Sequence, residues 1–322
     1  VAELEILSLT FPVFAIVVIG YVTVKIGIIS ADIAAPLVQF VYRICLPALM
    51  FHIVASDPIK SLLNWDFWIA FGGGSLLVLG LVILIGWRRL GNNVSHRALL
   101  AFSAVQTNTG FVALPILHAI FGAKGVPPAA IANLIIAAIM FPMLAIILQT
   151  ARKGQPGERK PTWRLVSEVL LSPMVWPTLL GFVFAAFAIP VPKPVNDILV
   201  ILGSALTPCA LFAIGASIDV SQTMHDIKRI AVLSTVKLIA LPAVVFVIGL
   251  TIGMAPFFVI AATICASVPT AKNIFFLAND YHVGEKSAAA MISTTTVIAV
   301  LTMTLWLLVL AALYPSVFHG QV

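Results

Sequence analysis

Ten stretches of this chain are apolar for long enough to cross a lipid bilayer, which takes about 20 residues of helix. They lie near 6–28, 33–55, 66–87, 97–120, 127–150, 168–190, 195–219, 230–253, 256–279 and 286–313. A backbone in lipid has no water to satisfy its N–H and C=O groups, so each stretch must close its hydrogen bonds within itself. The expected fold is an all-α polytopic membrane protein with ten transmembrane helices. Composition agrees: 61% of the 322 residues are hydrophobic and 9% are charged, against about 25% charged in a soluble domain. One or two soluble cores cannot hide that much apolar surface. A soluble enzyme, a nucleic-acid-binding module and a disordered chain are excluded. The first stretch follows VAELEIL with no basic n-region, so it reads as a span rather than a signal peptide.

The basic residues orient the chain. The loops after spans 1, 3, 5, 7 and 9 hold 12 of the 18 Lys and Arg, while the opposite side holds Lys60, Lys124 and Lys193. The richer side is cytoplasmic by the positive-inside rule, which leaves both termini on the other side of the membrane. The formal charge of +6 is thus topological, and no nucleic-acid partner is expected. The longest connection, 151–167 (ARKGQPGERKPTWRLVS), reads as a solvated cytoplasmic linker between a first unit at 1–150 and a second at 168–322. Asn93-Val94-Ser95 matches a glycosylation sequon but falls on the cytoplasmic side and is discounted.

The two units repeat at an offset of 161: Pro12 maps to Pro173, Gly20 to Gly181, and the segment from Pro47 to Ser56 to that from Pro208 to Ser217. Each unit holds five spans. An odd number means the second copy enters the membrane from the opposite side, giving a 5+5 inverted-topology repeat, a construction typical of secondary transporters. The same offset aligns Asn108 with Pro269 and Thr109 with Thr270, inside the fourth span of each unit. Span 4 carries Gln106-Thr-Asn-Thr109 followed by Gly110 and Pro115; span 9 carries Pro269 flanked by Thr270, Lys272 and Asn273. Proline removes a helical N–H and clashes with the preceding turn. Four consecutive polar residues cannot all face lipid on a regular helix, so these spans are expected to break where protein or a wet cavity covers the backbone. Half-helix N-termini at such breaks offer free N–H groups and partial positive charge to an anion. Pro12, Pro142, Pro173, Pro177 and Pro242 read as simple kinks.

Three cations lie inside spans, Arg43, Lys237 and Lys272, while all 12 acids fall at span ends or in loops. A charge in mid-bilayer costs at least about 2.5–3.5 kcal/mol and needs a partner or a function. Lys272 can be a substrate-anion ligand, a group that changes protonation during transport, or a fixed internal cation that braces the break. Arg43 can hold a carboxylate in two-pronged fashion or pair with backbone carbonyls. Lys237 is near the cytoplasmic end of its span and is expected to reach the interface along its own stem. Asp219 is either a helix-end charge or a proton carrier. His52 and His118 read as hydrogen-bonded packing residues, with proton relay as the alternative. Gly72-Gly73-Gly74 suggests close helix contact. Cys45, Cys209 and Cys265 show no metal-ligand spacing and read as core residues. No ATP-binding loop and no hydrolase or zinc-protease motif occurs, and no cofactor, metal or enzymatic activity is expected.

With five spans in each half, interruptions in the fourth and ninth, and the stretch Asn108-Thr-Gly-Phe-Val-Ala-Leu-Pro-Ile116, the chain resembles the auxin efflux carrier family. That family includes plant auxin exporters and bacterial carriers of malonate and malate, and it is related to the bile acid sodium symporters. The likeness covers nearly the whole chain. It implies a scaffold of spans 1, 2, 6 and 7, usually dimeric, and a transport domain of spans 3–5 and 8–10 that moves like an elevator. It also implies that spans 4 and 9 cross as broken helices beside the substrate, with Asn108, Pro115 and Pro269 marking the crossing and Asn273 a looser match. Sodium-dependent relatives carry acidic and amide groups there; here Lys272 stands close by with no acid near it in sequence, which argues against sodium coupling.

The expected function is secondary transport of a small organic anion, malonate or a similar carboxylate, across a bacterial inner membrane, by a homodimer with periplasmic termini. Asn108, Thr109, Gly110, Thr270, Lys272, Asn273 and Arg43 are the expected binding residues, and Asp219 or Lys272 the candidates for coupling. The alternatives are a carrier of an auxin-like aromatic carboxylate, a channel, or a membrane-embedded ligand sensor.

Overall fold

The computed structural model describes residues 2–56, 64–86, 93–151, 175–217 and 227–319, with 90, 171 and 173 as single positions; Asp219 and all of the linker but Ala151 lie outside them. The described residues fold into helices. These are α1 (Ala2–Lys25), α2 (Ala34–Ser56), α3 (Trp65–Gly86), α4 (Val94–Ser103), α5 (Leu114–Phe121), α6 (Val126–Ile135), α7 (Phe141–Ala151) and α8 (Val175–Ala186). There follow α9 (Lys193–Ala216), α10 (Ile227–Thr251), α11 (Pro256–Ser267), α12 (Asn273–Asp280), α13 (Glu285–Leu313) and α14 (Pro315–His319). Among the described residues, six helical runs are long and apolar enough to cross a membrane, and Ala15–Lys25, Trp176–Ala186 and Pro256–Ser267 are shorter apolar helices. One of the six, Thr109–Ala151, turns at Gly122, whose φ of 58° no ordinary side chain adopts easily. The Asn93 amide oxygen accepts from His96 N at 2.7 Å and so starts α4, which gives the discounted sequon residue a structural role.

Four of the prolines inside the spans are preceded by a widened turn. Four π turns, Val41–Cys45, Thr109–Ala113, Ile136–Met140 and Val236–Ala240, each end two residues before a proline: Pro47, Pro115, Pro142 and Pro242. A proline ring collides with the carbonyl four residues earlier and offers it no N–H. Widening the preceding turn by one residue relieves the collision. At Pro242 the orphaned carbonyl belongs to Leu238, and the Trp306 indole N–H of α13 donates to it at 3.0 Å. Trp306→Phe is expected to cost about 1 kcal/mol, seen as a fall of about 2 °C or more in the Tm of the purified protein. An unchanged Tm would show that this carbonyl does not depend on the indole.

Small residues let backbones approach where lipid supplies no hydrophobic drive between helices. α1 lies along the second half of α9, and α8 along the second half of α2. The triple glycine of α3 contributes less than its sequence suggests. A Cβ at Gly74 would press on Val245 at 3.0 Å, one at Gly72 would make ordinary contact with Ile135, and one at Gly73 would meet nothing.

Candidate functional site

α4 ends at Ser103, and helix resumes only in the π turn at Thr109. α11 ends at Ser267, Val268 is extended, and helix resumes at Asn273. The two gaps pair with one another. Thr107 and Thr270 form an antiparallel bridge; Asn108 N donates to Pro269 O and Ala271 N to Gln106 O, each at 3.0 Å. The main chain freed by one break is therefore satisfied by the other, the condition for irregular backbone inside an apolar protein. The break in the first segment lies before Gly110, and Pro115 does not make it. Pro115 is buried at the start of α5, where the π turn Thr109–Ala113 has already made room for its ring. Pro269 does sit in its gap and supplies a carbonyl acceptor.

The carbonyl ends of α4 and α11 are capped differently. On α4, Val105 N and Gln106 N return to Phe102 O at 3.0 and 2.8 Å, and the Thr270 hydroxyl donates to Ser103 O at 2.9 Å. On α11, the Ser267 hydroxyl returns to Ile264 O at 2.9 Å, and the Lys237 ammonium donates to Ala266 O at 2.8 Å and Val268 O at 2.5 Å. This corrects the expectation that Lys237 reaches the membrane interface: its side chain is 0% exposed. The π turn Val236–Ala240 carries Lys237 on the face turned to α11, where two bare carbonyls compete successfully with the distant water.

Beside the crossing is a cavity of about 40 Å³. Its lining comes from both gaps (Asn108, Pro269 and Lys272), from Val112, from Ile214 and Ser217 at the end of α9, and from Ile292, Ser293 and Thr296 of α13. Lys272 Nζ donates to Ser217 Oγ at 3.3 Å. The Asn108 side-chain amide is without a hydrogen-bond partner among the described residues, although Asn108 is only 8% exposed. An ammonium and an amide thus face one small space lined otherwise by apolar side chains and three hydroxyls, a donor set that suits a carboxylate.

The remaining expected residues have other work or lie elsewhere. Thr109 is buried and donates to Asn133 Oδ1 at 3.1 Å, tying the π turn to α6. Thr270 is spent on Ser103 O and, through its N–H, on Thr295 Oγ1 at 3.1 Å. Gly110 is buried within the π turn. Arg43 is exposed on the π turn Val41–Cys45 and does not line the cavity, although its neighbour Tyr42 stacks on Phe111 at 5.6 Å. Asn273 Oδ1 is buried without a partner among the described residues, as are both amide atoms of Gln106 and the Thr107 hydroxyl. Such groups are where ordered water enters an interior. His52 Nδ1 lies 2.8 Å from Asn196 Oδ1, and His118 Nδ1 lies 3.3 Å from Thr207 Oγ1, in keeping with packing roles.

Ser217, Ser293 and Thr296 were not legible as site residues. Single hydroxyls in apolar helices usually bond back to their own turn, as Thr296 does to Ile292 O at 2.7 Å. For Ser217 a signal was present, since the repeat offset pairs it with Ser56.

Comparison with known proteins bears on the whole arrangement. A family model described as "Membrane transport protein" matches residues 6–307. The chain is 26% identical over 302 residues to a Rhizobium meliloti protein named "Putative malonate transporter", covering 93% of this chain and 94% of that one. It is 21% identical over 298 residues to an "Uncharacterized transporter" of Methanothermobacter thermautotrophicus, covering 92% and 96%. It is 20% identical over 310 residues to the "Uncharacterized transporter YfdV" of Escherichia coli K12, covering 92% and 95%. Six helical runs among the described residues that are long and apolar enough to cross a membrane, two interrupted helices bonded through their main chains, and a family match over nearly the whole length lead to one conclusion: this chain is a membrane transporter, not an enzyme, and belongs to the auxin efflux carrier family.

Proposed function

We propose that this transporter carries a short organic dianion, malonate or a close analogue, by alternating access at the helix crossing. The observation that carries the reading is the Lys272 ammonium and the Asn108 amide facing one cavity, with no carboxylate in its lining and no partner for that amide among the described residues. Size supports a small cargo. A water needs about 10–15 Å³ of such volume, so about 40 Å³ holds roughly three waters, close to the bulk of a three-carbon diacid and well short of an indole ring. The name of the Rhizobium meliloti relative points the same way.

The 5+5 inverted repeat is supported by element bounds. Shifting α2 (Ala34–Ser56) by the sequence offset falls on α9 (Lys193–Ala216), α3 (Trp65–Gly86) on α10 (Ile227–Thr251), and the gap 104–108 on 265–269, overlapping the gap 268–272. Packing follows the exchange: a Cβ at Gly20 of α1 would meet Ala216 N of α9 at 3.1 Å, and one at its repeat mate Gly181 of α8 would meet Ala55 N of α2 at 3.2 Å. In this reading α1, α2, α8 and α9 form the scaffold, the remaining helices form the transport domain, and Lys272 to Ser217 spans the two. Arg43, exposed partway along α2 on the single chain, needs cover in lipid and favours a homodimer joined through the scaffold. The excess of basic residues in loops favours periplasmic termini in a bacterial inner membrane.

The test is reconstitution in liposomes with labelled malonate. Saturable uptake is expected, competed by other short diacids and little by indole-3-acetate. Asn108→Ala is expected to weaken half-saturation by about tenfold, the value of a hydrogen bond to a charged group. Absence of malonate flux, or flux that never saturates, would overturn the reading.

A further inference from the structure

The cation left over by this mechanism is Lys237. It lines no part of the cavity, is completely buried, and has no carboxylate paired with it among the described residues. Its ammonium sits on the Ala266 carbonyl in the last turn of α11 and on that of the extended Val268 just beyond it; α11 is a helix of 12 residues whose C-terminal end leads directly into Pro269 and Lys272 of the cavity wall.

A helix C-terminus carries roughly half a negative charge, concentrated on its unsatisfied carbonyls. α11 aims that end at the crossing, where it opposes any bound anion across a medium that screens weakly. We propose that Lys237 is an electrostatic positioning residue for anion binding: it cancels the negative end of α11 behind the cavity, so that a bound anion faces Lys272 alone. The inference rests on the anion reading of the cavity given above.

The contrast with α4 argues that the charge, and not merely a donor, is what matters at α11. The end of α4 is reached by the hydroxyl of Thr270 and by its own following N–H groups. A neutral donor therefore suffices to satisfy carbonyls at this crossing. A buried ammonium is far more costly to desolvate than a hydroxyl, yet it is found on α11, whose gap brings Pro269 and Lys272 to the cavity wall, where the gap after α4 brings Asn108. The π turn Val236–Ala240 supports the same point, because it presents Lys237 inward from a helix whose following residues, 238–250, are all apolar.

The experiment compares wild type, Lys237→Gln and Lys237→Arg, purified in detergent and checked for a single folded species. Affinity is measured by calorimetry for malonate and for its mono-amide, which has the same shape and one negative charge fewer. Lys237→Gln keeps a donor for the carbonyls but removes the charge. It is expected to weaken malonate by about tenfold and the mono-amide by about threefold, because a dianion feels a lost unit charge about twice as strongly on the logarithmic scale. Lys237→Arg is expected to recover most of the malonate affinity. Equal losses for the two ligands, or none, in a folded Lys237→Gln protein would leave only a structural role and overturn the proposal. If Lys237→Gln does not fold, Lys237→Arg decides: malonate-to-mono-amide preference within about twofold of wild type supports the proposal, and a collapsed preference overturns it. A wild type that binds neither ligand removes the anion reading and this inference together, an outcome distinct from a wild type that binds and a Lys237→Gln protein that matches it.

Discussion

Lys272→Ala is expected to abolish malonate uptake while leaving the protein at least as stable as the wild type. The Lys272 ammonium has one hydrogen-bonding partner among the described residues, the Ser217 hydroxyl at 3.3 Å, a long contact for a buried charge. A charge held inside the membrane with so little company costs free energy, and deleting it relieves that cost. When an anion is bound the same group becomes half of a desolvated ion pair. Removing one partner of such a pair typically costs about 2–5 kcal/mol, which puts the loss of affinity at about 30-fold or more. Activity and Tm should therefore move in opposite directions, the signature of a residue held at the expense of stability. Liposome uptake and a thermal melt on one preparation measure both. A variant that loses Tm along with uptake would mark Lys272 as a strut, and one that keeps uptake would remove it from the site.

The second large effect is expected at a position with no chemistry. α1 and α9 approach so closely at Gly215 that a Cβ there would overlap the Val17 carbonyl and lie 2.9 Å from Tyr21 N. Both are backbone atoms, so no side chain can turn aside, and the helices must part. Gly215→Val is expected to cost at least about 3 kcal/mol, the upper range for overpacking a well-filled core, and to remove most folded protein. Size-exclusion of the detergent extract reads this directly. Gly73→Ala is the matched control, since a Cβ there meets nothing, and it should run as wild type. A normal Gly215→Val peak would show that α1 is free to shift away from α9.

The sequence carried the crossing because it wrote two signals at one place: four consecutive polar residues at Gln106–Thr109 and a proline beside a lysine at Pro269–Lys272. It did not carry the position of the first break. Pro115 looks like the interruption in a linear reading, but a π turn neutralises it, and π turns leave no mark in hydrophobic periodicity. Lys237 was misread for a related reason. Its depth along span 8 suggested an exit to the interface, and only the fold reveals that the end of α11, 29 residues away at Ala266, passes beside it. Thr109 and Thr270 were legible as residues of the crossing and not as its fasteners, because a threonine inside a span has the same identity whether it faces a ligand or a carbonyl.

The joint between Gln106–Asn108 and Pro269–Ala271 is made of main-chain N–H and C=O groups. Every residue type brings a carbonyl, and all but proline bring the N–H, so the frame does not depend on what Gln106, Asn108 or Lys272 carry. Inheritance can therefore rewrite those side chains, and with them the cargo, one codon at a time without passing through an unfolded ancestor. A scaffold of this kind diversifies in what it recognises long before it diverges in shape.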